Sequence, residues 1–257
     1  MGVLEKRETE NRRRCTMIVL AGGSGRRMGA DLPKQFLKVN GKPLIWYALH
    51  AVEQSPLVDD CILVAAKGEL PYVETQILDK YDFRKVMALA EGGRERFESV
   101  IHGLQKLREI KGAEKAASRI VMIHDGARPF LTEEIIEACF WGAEENGACV
   151  AAVPSKDTVA ISDGTGIEVA VPDRRLLYQV QTPQSFRGNL AYEAFDKLAG
   201  ELRGRDRLDD FSWITDDASV VAHYTGFRIR LVEGDYRNIK VTTAEDLPVA
   251  ELFLPKK

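Results

Sequence analysis

Short, wholly apolar runs alternate along the chain with longer stretches whose apolar residues recur every three or four positions. Residues 16–20, 61–66 (CILVAA), 120–123 (IVMI) and 148–153 are continuous apolar runs. That is the pattern of strands buried on both faces of a parallel sheet. Behind Pro43, which suits a first helical turn, Leu44, Ile45, Ala48, Leu49 and Val52 fall at helical spacing. Phe97, Val100, Ile101, Leu104 and Leu107 repeat that spacing, and further helices are predicted over 69–81 and 133–146, the second with Thr132 as its N-cap. With a short strand over 86–89, strands and helices alternate at the pitch of an α/β fold built on a doubly wound, mostly parallel, twisted sheet. Ligands in such sheets bind beyond the carboxyl ends of the strands. The loops after Leu20, Leu89 and Ile123 should therefore meet on one edge.

The alternation breaks at 158–171. Residues 158–162 and 167–171 alternate apolar and polar side chains about Asp163-Gly164-Thr165-Gly166, which predicts an antiparallel hairpin. A two-stranded ribbon is marginal alone, so a protruding β-arm at about 156–176 should pack on a second copy of the chain, giving a homodimer. Beyond it, 181–186 returns to the core, 190–200 and 216–224 read as helices, 228–232 and 238–242 as strands, and 244–253 as a closing helix. Residues 16–257 are expected to form one domain. Residues 1–15, charged throughout and lacking an apolar segment, are expected to be a flexible extension and not a secretory signal.

Composition narrows the partners. The 257 residues carry a formal net charge of −3, which gives no global attraction to nucleic acid or anionic lipid. No apolar run reaches the ~20 residues of a membrane helix. Cys15, Cys61, Cys139 and Cys149 lack C-x-x-C spacing and read as reduced, core-like thiols of a cytoplasmic protein. His50, His102, His124 and His223 are too scattered for a zinc site, and His102 and His124 read as packing or hydrogen-bonding residues. No dedicated metal-ligand set is visible.

The candidate chemistry begins at 17–36, MIVLAGGSGRRMGADLPKQF, a buried strand running into a glycine-rich basic loop. Ala21, Gly22, Gly23, Ser24 and Gly25 can present backbone N–H groups to an anion, while Arg26, Arg27 and Lys34 supply positive charge. A polyphosphate fits. A dinucleotide fingerprint would need glycine where Met28 stands, and a P-loop would need Ser or Thr where Pro43 follows Gly41-Lys42.

The remaining pattern, A-G-G-x-G-x-R-M followed by P-K-Q, resembles the nucleotidyltransferases that join a sugar phosphate to a nucleoside triphosphate. Further stretches carry the likeness over roughly 17–254: EGGRERFESV at 91–100, HDGARPF at 124–130, Lys156-Asp157-Thr158, Gln181-Thr182-Pro183-Gln184, TDDAS at 215–219 and VEGDYRNIKVT at 232–242. Together they are similar to the 2-C-methyl-D-erythritol 4-phosphate cytidylyltransferases of non-mevalonate isoprenoid biosynthesis.

That resemblance implies a Rossmann-like sheet and a set of roles. Arg27 and Lys34 match residues on the triphosphate and its reacting α-phosphate, and Lys240 matches a lysine approaching the reacting centre from the far side. Gly92, Gly93 and Ser99 match a cytosine pocket. Asp125, Gly126 and Arg128 correspond to the strand-end loop beside the ribose and sugar phosphate. Thr158 and Arg174 correspond to partner-subunit residues that reach the acceptor phosphate, with Thr182 and Thr215 added from the host subunit. CTP and a polyol phosphate are then the substrates, with Mg2+ held mainly by the CTP phosphates. For Asp125 a purely structural pairing with Arg128 stays open. So do two other activities: a ribitol 5-phosphate cytidylyltransferase, which shares the loop, D-x-x-R-P and N-I-K-V-T-T, and a non-catalytic nucleotide-binding homologue.

Overall fold

The computed structural model describes residues 12–22, 33–205 and 211–254. Its strands are β1 (Cys15–Leu20), β2 (Lys38–Val39), β3 (Lys42–Pro43), β4 (Asp60–Ala65), β5 (Val86–Glu91), β6 (Ile120–Asp125), β7 (Ala148–Pro154), β8 (Ile161–Ser162), β9 (Glu168–Ala170), β10 (Tyr178–Arg187) and β11 (Arg230–Glu233). The principal helices are α1 (Leu44–Gln54), α2 (Arg96–Lys111), α3 (Ala113–Ala117), α4 (Glu133–Asn146), α5 (Gly188–Leu202), α6 (Asp217–Thr225) and α7 (Asp246–Phe253), with an irregular helical stretch over 67–81. Seven strands form one sheet in the order β11-β7-β10-β6-β1-β4-β5. Neighbours pair in parallel except at β10, which runs antiparallel to both β6 and β7. The expected mostly parallel, helix-flanked sheet is therefore present.

The continuous apolar runs fill two layers at once because side chains alternate across a strand. Met17 and Val19 of β1, Cys61 and Leu63 of β4, and Ile120 and Met122 of β6 pack with α1 and α4. Their neighbours Ile18, Ile62, Val64, Val121 and Ile123 pack on the other face with α2 and α5. Burial of each such Ile or Leu stabilises the fold by roughly 1.5–3 kcal/mol. All four cysteines are free and buried in this core.

The opposite edge of the sheet is fastened by charge. Asp60 accepts from Thr16 Oγ1 at 2.6 Å and from Arg119 Nη2 at 2.7 Å, with Lys111 Nζ 2.9 Å away. Asp59 takes Arg12, Arg14 and the Cys15 N–H. Cys15 already belongs to β1, one residue before the predicted start, and residues 1–11 of the expected extension lie outside the described residues.

Three local expectations change. Residues 238–242 are not a strand; Val241 N–H donates to Ala127 O at 2.9 Å, and the segment otherwise runs as a loop. Thr132 occupies the N-cap of α4 but makes no side-chain capping bond. In the arm, β8 and β9 pair antiparallel as a shorter ribbon than the predicted one. Its Ile161, Ile167, Val169 and Val171 are each at least half exposed in the single chain.

Close approach fixes Gly188 at the start of α5. Its N–H donates to Arg119 O at 2.7 Å, and an added Cβ would lie 2.5 Å from Ala116 O and 2.9 Å from Ala117 O. Because those atoms are backbone, Gly188→Ala should destabilise the protein by about 1–3 kcal/mol in urea unfolding, and an unchanged midpoint would contradict this packing.

Candidate active site

At the carboxyl ends of the central strands the backbone is stitched into a floor. Ala21 N–H donates to Val64 O at 2.7 Å, Gly92 N–H to Ala65 O at 2.7 Å and Gly126 N–H to Leu20 O at 2.8 Å. A Cβ at position 126 would stand 2.9 Å from Leu20 O, so glycine lets β1 and β6 end side by side. Over this floor opens a cleft of about 460 Å³, lined by Ala21, Gly22, Lys34, Gly93, Ser99, Asp125 and Lys240, among others. Gly23, Ser24, Gly25 and Arg27 lie outside the described residues.

Lys34 is placed by its neighbour. It begins a short 3-10 turn, and the buried Gln35 donates from Nε2 to Ala21 O, tying the turn to the end of β1. Across the cleft, Ser99 Oγ accepts from Gly93 N–H at 3.1 Å and donates to Glu95 O at 3.2 Å. His102, as expected, is a hydrogen-bonding residue, with Nδ1 2.8 Å from Glu91 O.

Asp125 is the electrostatic centre. Its Oδ1 accepts from Arg96 Nε at 3.0 Å, its Oδ2 lies 2.9 Å from Lys240 Nζ, and Arg128 Nε stands 3.8 Å from Oδ2. Burial alone would raise the carboxyl, but the charges of Arg96, Lys240 and Arg128 outweigh it and hold the group well below the ordinary carboxylate range. Asp125 is thus ionised, and its pairing extends beyond Arg128 to two further cations.

The loop that carries Lys240 is anchored from below. Buried Asn238 donates from Nδ2 to Thr182 O at 2.8 Å, and its own carbonyl accepts from Arg128 Nη1 at 2.7 Å. Gln181 Nε2 reaches Asp235 O at 2.8 Å. On the same strand, Gln184 holds the start of α6, donating to Asp216 Oδ2 at 3.0 Å and accepting from Ala218 N–H at 2.8 Å.

His124 and Thr182 form the layer beneath. Thr182 Oγ1 accepts from Asp125 N–H at 3.1 Å and lies 3.0 Å from His124 Nδ1, while His124 Nε2 lies 3.1 Å from Arg128 O. This network fits the neutral tautomer: Nε2–H donates to the Arg128 carbonyl and Nδ1 accepts from Thr182. Thr182 is 3 % exposed and sits under Asp125, off the cleft surface. Thr215 lines an adjoining cavity of about 300 Å³ with Arg96 and Phe211. Thr158 and Arg174 are exposed on the arm and do not reach the cleft within one chain; Arg174 donates to Lys156 O at 3.2 Å.

Sequence reasoning quoted Arg96, Gln35, Gln181, Gln184 and Asn238 inside motifs but gave them no task. Their polar side chains beside glycine, proline or strand ends were the available signal. Among the described residues, no group of three or more His, Cys, Asp or Glu is placed to hold a metal ion, and no helix is long and apolar enough to cross a membrane.

Fixed cations around a glycine-bordered cleft at the ends of parallel strands suit a nucleotidyltransferase, an enzyme class whose transition state spreads charge over phosphate oxygens. The family model described as 2-C-methyl-D-erythritol 4-phosphate cytidylyltransferase matches residues 15–256, and the chain belongs to that family. It is 45% identical over 239 residues to the enzyme so named from Lachnospira eligens, covering 93% of this chain and 98% of the relative. The enzyme so named from Lachnoclostridium phytofermentans is 42% identical, covering 94% and 96%. The solved 4-diphosphocytidyl-2C-methyl-D-erythritol synthase from Anaerococcus prevotii superimposes with a TM-score of 0.77 at 30% identity, covering 94% of this chain and 96% of that one.

Burial holds the His124 imidazole down at about 4, against the opposing pull of the Arg128 carbonyl. A folded value below the unfolded one of about 6.5 means full stabilisation above that pH and progressive loss as pH falls toward 4, by up to about 3 kcal/mol. Urea melts should show this slope, and His124→Gln should flatten it; an unaltered slope would contradict a neutral buried imidazole.

Proposed function

We propose that the chain transfers the cytidylyl group of CTP to 2-C-methyl-D-erythritol 4-phosphate. The products are 4-diphosphocytidyl-2-C-methyl-D-erythritol and pyrophosphate, a step of non-mevalonate isoprenoid biosynthesis in the cytoplasm. The observation that carries this reading is the convergence of Lys34 and Lys240 on one cleft, with Lys240 paired to Asp125. Membership of the family supports the choice of substrates.

In this mechanism an oxygen of the acceptor phosphate attacks the α-phosphorus of CTP in line. The bond from that phosphorus to the bridging oxygen breaks, and pyrophosphate leaves with the electron pair. Lys34 and Lys240, with Arg27 of the glycine-rich loop, stabilise the charge that builds on the phosphate oxygens. Ser99 and the backbone of Gly92 and Gly93 receive the base, and Asp125 the ribose side. Thr215 and Arg128 are assigned to the acceptor, and Thr182 supports Asp125 from below. No side chain needs to become a covalent nucleophile.

Both oxygens of Asp125 already face cations, so that carboxylate is not open to a magnesium ion. Triphosphate oxygens and water would therefore provide most ligands, and the ion would neutralise charge on the departing pyrophosphate. The apolar side chains of the arm support a homodimer in which Thr158 and Arg174 serve the neighbouring cleft.

Lys34→Ala and Lys240→Ala should each lose ~10² or more in kcat, read as pyrophosphate release from CTP and methylerythritol phosphate. Wild-type-like turnover in either variant would contradict its role. With both acceptors at equal concentration, the methylerythritol adduct should dominate by mass, and a preference for ribitol 5-phosphate would overturn the substrate assignment.

A further inference from the structure

A buried acid outside the cleft is wired to its lysine. Asp217 opens α6 with its side chain 1% exposed, so it touches no substrate. Its Oδ1 accepts from Arg96 Nη1 at 2.6 Å, and its buried Oδ2 has no hydrogen-bond partner. The Arg96 ion pair offsets part of the cost of burying this carboxylate. The same guanidinium donates from Nε to Asp125 Oδ1 at 3.0 Å, which leaves Oδ2 of Asp125 facing Lys240 Nζ at 2.9 Å.

The far end of this chain lies on the acceptor side. Arg96 stands in the wall shared by the cleft and the adjoining cavity that Thr215 lines. Thr215 and Asp217 belong to one capped turn: Thr215 N–H donates to Ser219 Oγ at 3.2 Å, and Asp216 Oδ1 accepts from Ser219 N–H at 2.8 Å. Through Arg96, Asp217 thus joins that turn to Oδ1 of Asp125.

We propose that Asp217 and Arg96 are positioning residues that couple the Thr215 turn to Lys240 through the chain Asp217–Arg96–Asp125–Lys240. Occupancy of the acceptor site thereby orients the cation for the transfer step. This rests on the cytidylyltransferase reading of the cleft, which wild-type turnover tests separately.

The test is a double-mutant cycle in the full-length enzyme, with kcat and the KM for CTP read from steady-state pyrophosphate release in the presence of methylerythritol phosphate. Asp217→Asn, nearly isosteric, should lower kcat ~10-fold or more while KM for CTP stays nearly unchanged. In a Lys240→Ala background the same substitution should change kcat by no more than about twofold. A variant that merely lowered the active fraction would instead lose the same factor in both backgrounds. That multiplicative result, or a fully active Asp217→Asn, overturns the coupling. Should Asp217→Asn fail to fold, Arg96→Lys, which keeps the charge but cannot bridge two carboxylates, enters the same cycle with the same two outcomes.

Discussion

The carboxylate of Asp125, buried at the end of β6 and facing Arg96, Lys240 and Arg128, is the interaction on which the site depends. Each cation comes from a different part of the chain: the first turn of α2, the loop after β6 and the loop after β11. Three like charges converging on one cavity would repel without it, and the carboxylate would be too costly to bury without them. The sheet order makes the meeting possible, because β6 lies between β1 and the reversed β10 and delivers Asp125 to the middle of the cleft.

β10 is the second organising device. Running against its neighbours, it passes back under the cleft, where Gln181 reaches the Lys240 loop and Gln184 reaches the turn before α6. Thr182 between them supports Asp125 and His124 together. One strand thus fixes the heights of the Lys240 loop and the turn before α6 relative to the floor of the cleft.

The strands of the sheet core were legible because burial on both faces writes an unbroken apolar run, as in 61–66 and 120–123. The glycine-rich loop and Lys34 were legible because phosphate binding favours backbone N–H groups and cations at a strand end. Asp125, Lys240 and the arm residues came from family resemblance, since spacing alone places none of them. What stayed hidden depends on partners distant in sequence. Arg96 meets Asp217 across 121 positions, and Asn238 meets Thr182 across 56. Residues 238–242 misled for a related reason: their alternation fits a strand, but hydrogen bonds to Ala127, Arg128 and Thr182 hold them as a loop.

The most direct measurement is the rate of cytidylyl transfer in a single turnover by Asp125→Asn, whose amide keeps the shape and removes the charge. With the variant folded and saturated with CTP, transfer should slow by ~10² or more, because Lys240 loses the carboxylate that aligns it against the transition state. Transfer at the wild-type rate would show that the cations hold their places without it, and would contradict the account.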